Sequence, residues 1–266
     1  MRSIGYQAAD SSGDLKRSKA NEQKHQQHWK FAEPGLHTDL ERSKDLSLHV
    51  TDEVFNAASH MIASFLSTIG AMVLIAGSSH QSNAWKIISF SIYGASMINL
   101  FVSSTLHHGL HCSPKTNHTF RMLDYVAIYP FIAGTFTPLC LVCLHSSWIG
   151  WVFLGVVWGE AIFGISLNTI YYWKMPKWMS LTIYMSMGWT GAFLAVPLFP
   201  RIGYGGILLL GLGGITYTVG GVIFIMEKPN PIPGNFGFHE IWHIFVIAGA
   251  GIHWAMMFCY VLPIID

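Results

Sequence analysis

Long runs of hydrophobic residues dominate the chain from about residue 54 onward, and short polar segments separate them. A helix needs about 20 residues to cross the roughly 30 Å hydrocarbon core of a bilayer, and each run reaches that length. Helix-breaking residues occur in the separators, as in the proline-containing stretch 229–233. The pattern predicts an all-α, polytopic membrane protein with seven transmembrane helices, at residues 54–76, 85–107, 120–144, 148–170, 178–199, 205–226 and 237–262.

The composition divides the chain into a polar tail and a membrane domain. Only 11% of the 266 residues are charged, whereas soluble domains average about 25%, so a water-soluble globule is excluded. Residues 1–52 hold eight of the 15 Lys and Arg residues and eight of the 14 Asp and Glu residues. We therefore expect a largely disordered cytoplasmic tail over 1–52 and a transmembrane domain over 53–266. The net charge of +1 argues against a nucleic-acid partner.

The basic residues between the predicted helices indicate the orientation of the chain. If the N-terminus is cytoplasmic, the tail and inner loops together carry 13 Lys and Arg residues, and the outer loops carry only Lys86 and Arg201. Cytoplasmic loops are enriched in these residues. We therefore predict a cytoplasmic N-terminus and an external C-terminus, in the plasma membrane or an inner membrane.

Most of the polar and ionisable residues inside the predicted helices fall at one level of the membrane. Such residues are costly in hydrocarbon, so each requires a partner or a function. Four helices bring them to the cytoplasmic leaflet: Glu53, Asn56 and His60 on the first, His107 and His108 on the second, Asp124 on the third, and His239 and His243 on the last. This convergence is the main functional signal in the sequence.

His239 and His243 are four residues apart, so their imidazoles share one helix face about 6 Å apart at Cβ and can bind one metal ion. Helix packing or interface polarity also explains an isolated HxxxH. A third histidine is available at the same depth, and Ser104 stands four residues before His108. Three histidines leave one tetrahedral position open, as in catalytic zinc sites, where the metal lowers the pKa of its water to about 7.

Asp124 is the natural proton acceptor or water-orienting group beside such a metal. Its alternative role is an ion pair with Arg121, one helical turn earlier. His253 lies ten residues beyond His243, roughly 15 Å deeper by helical rise, and cannot share the same metal. We expect it to be a buried, hydrogen-bonded histidine.

The first predicted helix carries a polar stripe made of Glu53, Asn56 and His60, at positions i, i+3 and i+7. These spacings place the three side chains on one helix face. The stripe can line a cavity or hydrogen-bond to a metal ligand and so hold it in place. Hydrogen bonding between helices explains it equally well.

Motifs on four helices resemble those of one membrane-protein family. They are Glu53-x-x-Asn56-x-x-x-His60, SSTLHH at 103–108, RMLDYVAIY at 121–129 with IAGTFTP at 132–138, and His239-x-x-x-His243 with His253. The set is similar to hemolysin III and the progestin and adipoQ receptors, within a superfamily that includes alkaline ceramidases. It extends from about residue 50 to the C-terminus, so only the tail lies outside it.

The resemblance implies a seven-helix fold that holds Zn²⁺ near the cytoplasmic side. Position by position, it makes His108, His239 and His243 the ligands and puts Asp124 and Ser104 around the zinc-bound water. The receptor branch implies hydrolysis of an amide bond in a ceramide-like membrane lipid. The hemolysin III branch implies instead a pore-forming cytolysin, and the alternative to a hydrolase is such a cytolysin or a non-enzymatic receptor in which zinc is structural.

Glu160 departs from the family pattern, in which an apolar residue is expected at the middle of the fourth helix. A carboxylate at that depth is neutral or paired as a rule. We expect Glu160 to face the cavity and contact substrate, or to pair within the bundle with His60 or His145.

Overall fold

A computed structural model of the chain describes residues 53–171 and 175–265, so the predicted tail over 1–52 lies outside the described residues. Regular structure in the two described ranges is helical, which confirms the all-α prediction. The α-helices there are α1 Glu53–His80, α2 Ala84–Gly109, α3 Pro114–Pro138, α4 Trp148–Tyr171, α5 Lys177–Thr190, α6 Ala195–Met226 and α7 Phe238–Met256. Short π-helical segments extend α3 and α7, and a 3₁₀ turn, Gly191–Leu194, joins α5 to α6.

Six helical segments of the described residues are long and apolar enough to cross a membrane, because two predicted spans fall within one 50-residue segment, Lys177–Met226. Gly203 interrupts this segment with φ 59° and ψ −170°, a conformation open essentially to glycine alone. The two halves lie side by side, since the indole N–H of Trp189 donates to Thr218 Oγ1 at 3.0 Å. The structure supports a multi-pass helical protein, and seven crossings stay a prediction.

The helices pack as a bundle in which α1, α2 and α3 follow one another and α7 packs against both α6 and α1. Large apolar side chains cover much of the outside, and Phe193 and Val196 are each 82% exposed. Apolar exposure on this scale would make a soluble protein aggregate, whereas lipid tolerates it. The end of the bundle that carries His108 and His239 is called the histidine end below.

Glycines allow α6 and α7 to approach each other closely. A Cβ placed on Gly220 would lie 2.6 Å from Phe245 Cβ, and one on Gly249 would lie 2.6 Å from the Tyr217 ring. Both distances are well below carbon–carbon contact. Any larger residue at either position would force the two helices apart.

Lys86 is counted with the outer loops by the charge analysis although it falls at the start of a predicted helix, and the structure places it fully buried in the first turn of α2. Its ammonium donates to Leu262 O at 2.8 Å, and also to Ile264 O and to Gln81 Oε1. These carbonyls follow the end of α7, where backbone oxygens lack helical partners and attract cations. The buried lysine therefore fastens the C-terminal end of α7 to α2.

We expect Lys86→Met to lower the free energy of unfolding by about 2–3 kcal/mol, because it removes a charged donor from partly buried carbonyls. Thermal unfolding in detergent measures this. Lys115→Met is the matched control, since Lys115 is exposed at the start of α3. Equal unfolding of wild type and Lys86→Met would contradict the fastening role.

Candidate metal centre

Three buried histidines from two helices form a triangle at the histidine end. His108 lies in the last turn of α2, and His239 and His243 lie in the first turns of α7. The ring centroids are 4.9 Å to 5.1 Å apart. One ligand atom from each residue lies within 4.8 Å of the other two. The structure thus brings together the three histidines that the family resemblance selects.

The start of α7 is fixed by hydrogen bonds to its first backbone amides. Gly237 N donates to Glu240 Oε2 at 2.7 Å, and Phe238 N donates to Asn230 Oδ1 at 3.1 Å. A helix begins with amides that lack intrahelical partners, so these acceptors define where α7 starts. The start position in turn sets the direction in which His239 and His243 project.

The polar stripe of α1 contacts the histidine triangle at two points and the neighbouring Glu240 at a third. Glu53 Oε2 lies 2.5 Å from His108 Nδ1. Asn56 Nδ2 donates to Glu240 Oε1 at 3.1 Å, and the His60 ring stacks on that of His243 with centroids 3.8 Å apart. The stripe therefore supports residues of both α2 and α7.

Ser104 and Asp124 lie beside the triangle and line a cavity of about 270 Å³ within the bundle. Ser104 is buried, and its Oγ has no hydrogen-bond partner among the described residues. Asp124 is half-buried, and a carboxylate oxygen lies within 4.8 Å of ligand atoms of His107 and His108. Both residues thus stand where the sequence interpretation expects groups that handle water or substrate.

The cavity extends from the histidine end into the apolar interior. His243 lines one part of it and His253 another, and helical rise separates these positions by roughly 15 Å. Much of the remaining wall is hydrophobic, including Leu100, Ile128, Ile132, Leu181, Leu210 and Val246. The space suits a hydrocarbon chain whose polar group lies at the histidines.

Two of the predicted residues lie apart from the triangle. His253 is buried, and its Nε2 lies 3.2 Å from Leu210 O, as expected for a hydrogen-bonded histidine. Glu160 is half-buried on α4, contacts Thr190 and is not among the cavity-lining residues. The position of Glu160 in the described part of the chain therefore favours pairing within the bundle over contact with substrate.

Sequence reasoning missed two contributors. The family motif selects only His108 on α2, yet His107 is also buried and the two rings are 4.6 Å apart. The motifs give no role to Glu240, which lies between His239 and His243. Its position three residues after Gly237, from which a glutamate can accept a hydrogen bond from the N-cap amide, could have identified it.

The donor set fits zinc. Three imidazoles are common zinc ligands and leave a position open. Glu53 supplies the carboxylate that orients a metal-binding histidine through its second ring nitrogen. His243 Nδ1 and Ser104 Oγ are buried without hydrogen-bond partners among the described residues, a costly arrangement in lipid that a bound ion and its water would relieve.

The family model described as "Haemolysin-III related" matches residues 48–254. The chain belongs to the haemolysin III-related family. It is 36% identical over 223 residues to Hemolysin-3 of Bacillus cereus, covering 84% of this chain and 98% of that protein. It is 38% identical over 210 residues to the Hemolysin-3 homolog of Bacillus subtilis, covering 79% and 93%. It is 26% identical over 190 residues to human monocyte to macrophage differentiation factor, covering 68% and 73%.

Haemolysin III family membership confirms the resemblance drawn from the motifs. Together with the apolar helices, it makes the chain an integral, multi-pass membrane protein. The matched range includes Glu53, the histidine triangle and Asp124. The candidate metal centre is therefore part of the region that this chain shares with its family.

Proposed function

We propose that this haemolysin III-family protein is a zinc-dependent membrane hydrolase that cleaves an amide bond in a ceramide-like lipid. The observation that carries the proposal is the buried triangle of His108, His239 and His243 beside an apolar cavity. Zinc held by these residues would polarise a carbonyl oxygen and lower the pKa of a bound water to about 7. Side chains of the protein would transfer the protons and bind the substrate.

Asp124 takes up the proton of the attacking water and passes it to the leaving amine. Its carboxylate lines the cavity next to His108, which is the position that both transfers need. Ser104 Oγ donates a hydrogen bond to the water or to the carbonyl oxygen of the substrate. Glu53 holds His108 in orientation, and the apolar wall receives the acyl chain.

The proposed topology has seven crossings, with the N-terminus in the cytoplasm and the C-terminus outside. A straight 50-residue helix would be about 75 Å long, more than twice the thickness of the hydrocarbon core. The fold-back at Gly203 supports assigning two crossings to this segment. With this orientation the histidine end faces the cytoplasmic leaflet of a plasma or inner membrane.

The decisive assay incubates the purified, zinc-loaded protein with long-chain ceramide and measures free fatty acid. The proposal expects release that a chelator stops and that added zinc restores. No release from folded, zinc-loaded protein would contradict it. In the alternative class with structural zinc, neither a receptor nor a cytolytic pore would cleave lipid, and liposome leakage that survives zinc removal would favour the pore.

A further inference from the structure

His107 occupies a buried position that the proposed zinc site does not use. It lies on the same turn of α2 as His108, is only 2% exposed and lines the cavity. One ring nitrogen of His107 lies within 4.8 Å of ligand atoms of both His108 and Asp124. The residue therefore lies next to the histidine triangle and is, with His60, one of two further imidazoles close to it.

The donor types around His107 are those of a transition-metal site. Imidazole and carboxylate are both zinc ligands. Sites that hold two ions about 3.5–4 Å apart are common in hydrolases, and solvent commonly completes the coordination between them. His108 is shared by the two groups of donors, and the 4.6 Å between its ring centroid and that of His107 places the groups side by side.

We propose that His107 and Asp124 form a second binding position for Zn²⁺ or a similar divalent transition metal, adjacent to the proposed position at His108, His239 and His243. Glu53 engages Nδ1 of His108, so this ring has one nitrogen left and serves a single ion at a time. When the first position is filled, the second has two protein ligands and completes its shell with water. It therefore binds more weakly than the first and fills second.

Only the order in which the two positions fill depends on the proposed zinc site. Without an ion at the triangle, His107, His108 and Asp124 still offer three ligand atoms within 4.8 Å of one another. The experiment must therefore count ions separately for the two groups. Variants of His239 and His243 report on the first group, and variants of His107 and Asp124 report on the second.

The experiment titrates Zn²⁺ alone into the detergent-purified, metal-free full chain and counts bound equivalents by equilibrium dialysis and elemental analysis. The chain has 14 histidines, so the informative quantity is the difference between variants. His107→Phe and Asp124→Asn are each expected to bind one equivalent fewer than wild type while keeping the tightest one. His253→Phe is the matched control and is expected to bind as many equivalents as wild type.

Equal counts in wild type and either folded variant, His107→Phe or Asp124→Asn, would overturn the second position. Cobalt(II) loading of the unmodified chain gives a test that needs no variant. Two adjacent Co²⁺ ions couple magnetically, so the second equivalent is expected to weaken the paramagnetic resonance signal of the first. A signal that grows in proportion to the metal added would contradict adjacency. The variant His239→Ala/His243→Ala tests the zinc site separately. If it alone loses the tightest equivalent, the zinc site stands even where the second position fails.

Discussion

Replacing Asp124 by asparagine is expected to lower hydrolysis of a ceramide-like lipid by about 10²–10⁴-fold, the usual contribution of a positioned acid or base. Asparagine keeps the size of the side chain and its place on the cavity wall, but it cannot accept a proton. The tightly bound zinc is expected to remain, because the histidine triangle is unchanged. Initial rates of fatty-acid release, measured beside zinc content, test both statements.

Glu160→Gln is the matched control for Asp124→Asn. It also neutralises a half-buried carboxylate within the bundle, but Glu160 is not among the cavity-lining residues. Its turnover is expected to stay within about twofold of wild type. Full activity in folded Asp124→Asn would assign Asp124 a structural role and remove it from the proposed proton transfer.

Changing Asn56 to aspartate is expected to loosen the metal centre although the side chain binds no metal. Asn56 Nδ2 donates to Glu240 Oε1 at 3.1 Å, and both residues are fully buried. In Asn56→Asp the amide donor is lost and two carboxyl groups face each other in a buried position, and losing this hydrogen bond to Glu240 costs about 1–3 kcal/mol. Zinc affinity is expected to fall about 10–100-fold, as when an outer partner of a ligand is lost.

The double variant Asn56→Asp/Glu240→Gln is expected to restore zinc affinity and stability. The new amide can keep its oxygen on Gly237 N, where Glu240 Oε2 now accepts at 2.7 Å, and can turn its nitrogen toward the new aspartate. The same bridge then forms with donor and acceptor exchanged. Competition with a zinc-binding dye and thermal unfolding provide the two readouts. An affinity in the double variant no better than in Asn56→Asp would contradict the bridge.

The helices could be predicted from the sequence because lipid requires long apolar helical runs. The burial of Lys86 could not be predicted, because a lysine beside a loop is normally solvated. Only tertiary packing brings the carbonyls of Leu262 and Ile264 within its reach, 176 and 178 residues away. The fold-back at Gly203 had a weaker signal, since glycine is frequent throughout that region.

The histidine triangle was predictable in part because two of its members have the i, i+4 spacing of one helix face. The assignment of His108 over His107 rested on its spacing from Ser104 and on the family motif. Spacing within one helix describes only one face, and here α3 brings Asp124 toward His107 from another side. Contacts that depend on how three helices meet are outside what a single-sequence pattern contains.

The central claim is that the histidine triangle binds zinc, and elemental analysis of detergent-purified protein tests it most directly. Wild type, dialysed to remove weakly held metal, is predicted to contain about one zinc per chain. His239→Ala/His243→Ala is predicted to lose that zinc while staying folded, as judged by circular dichroism. Freshly purified wild type without zinc, even after reloading, would contradict the claim and leave these histidines as a polar network between helices.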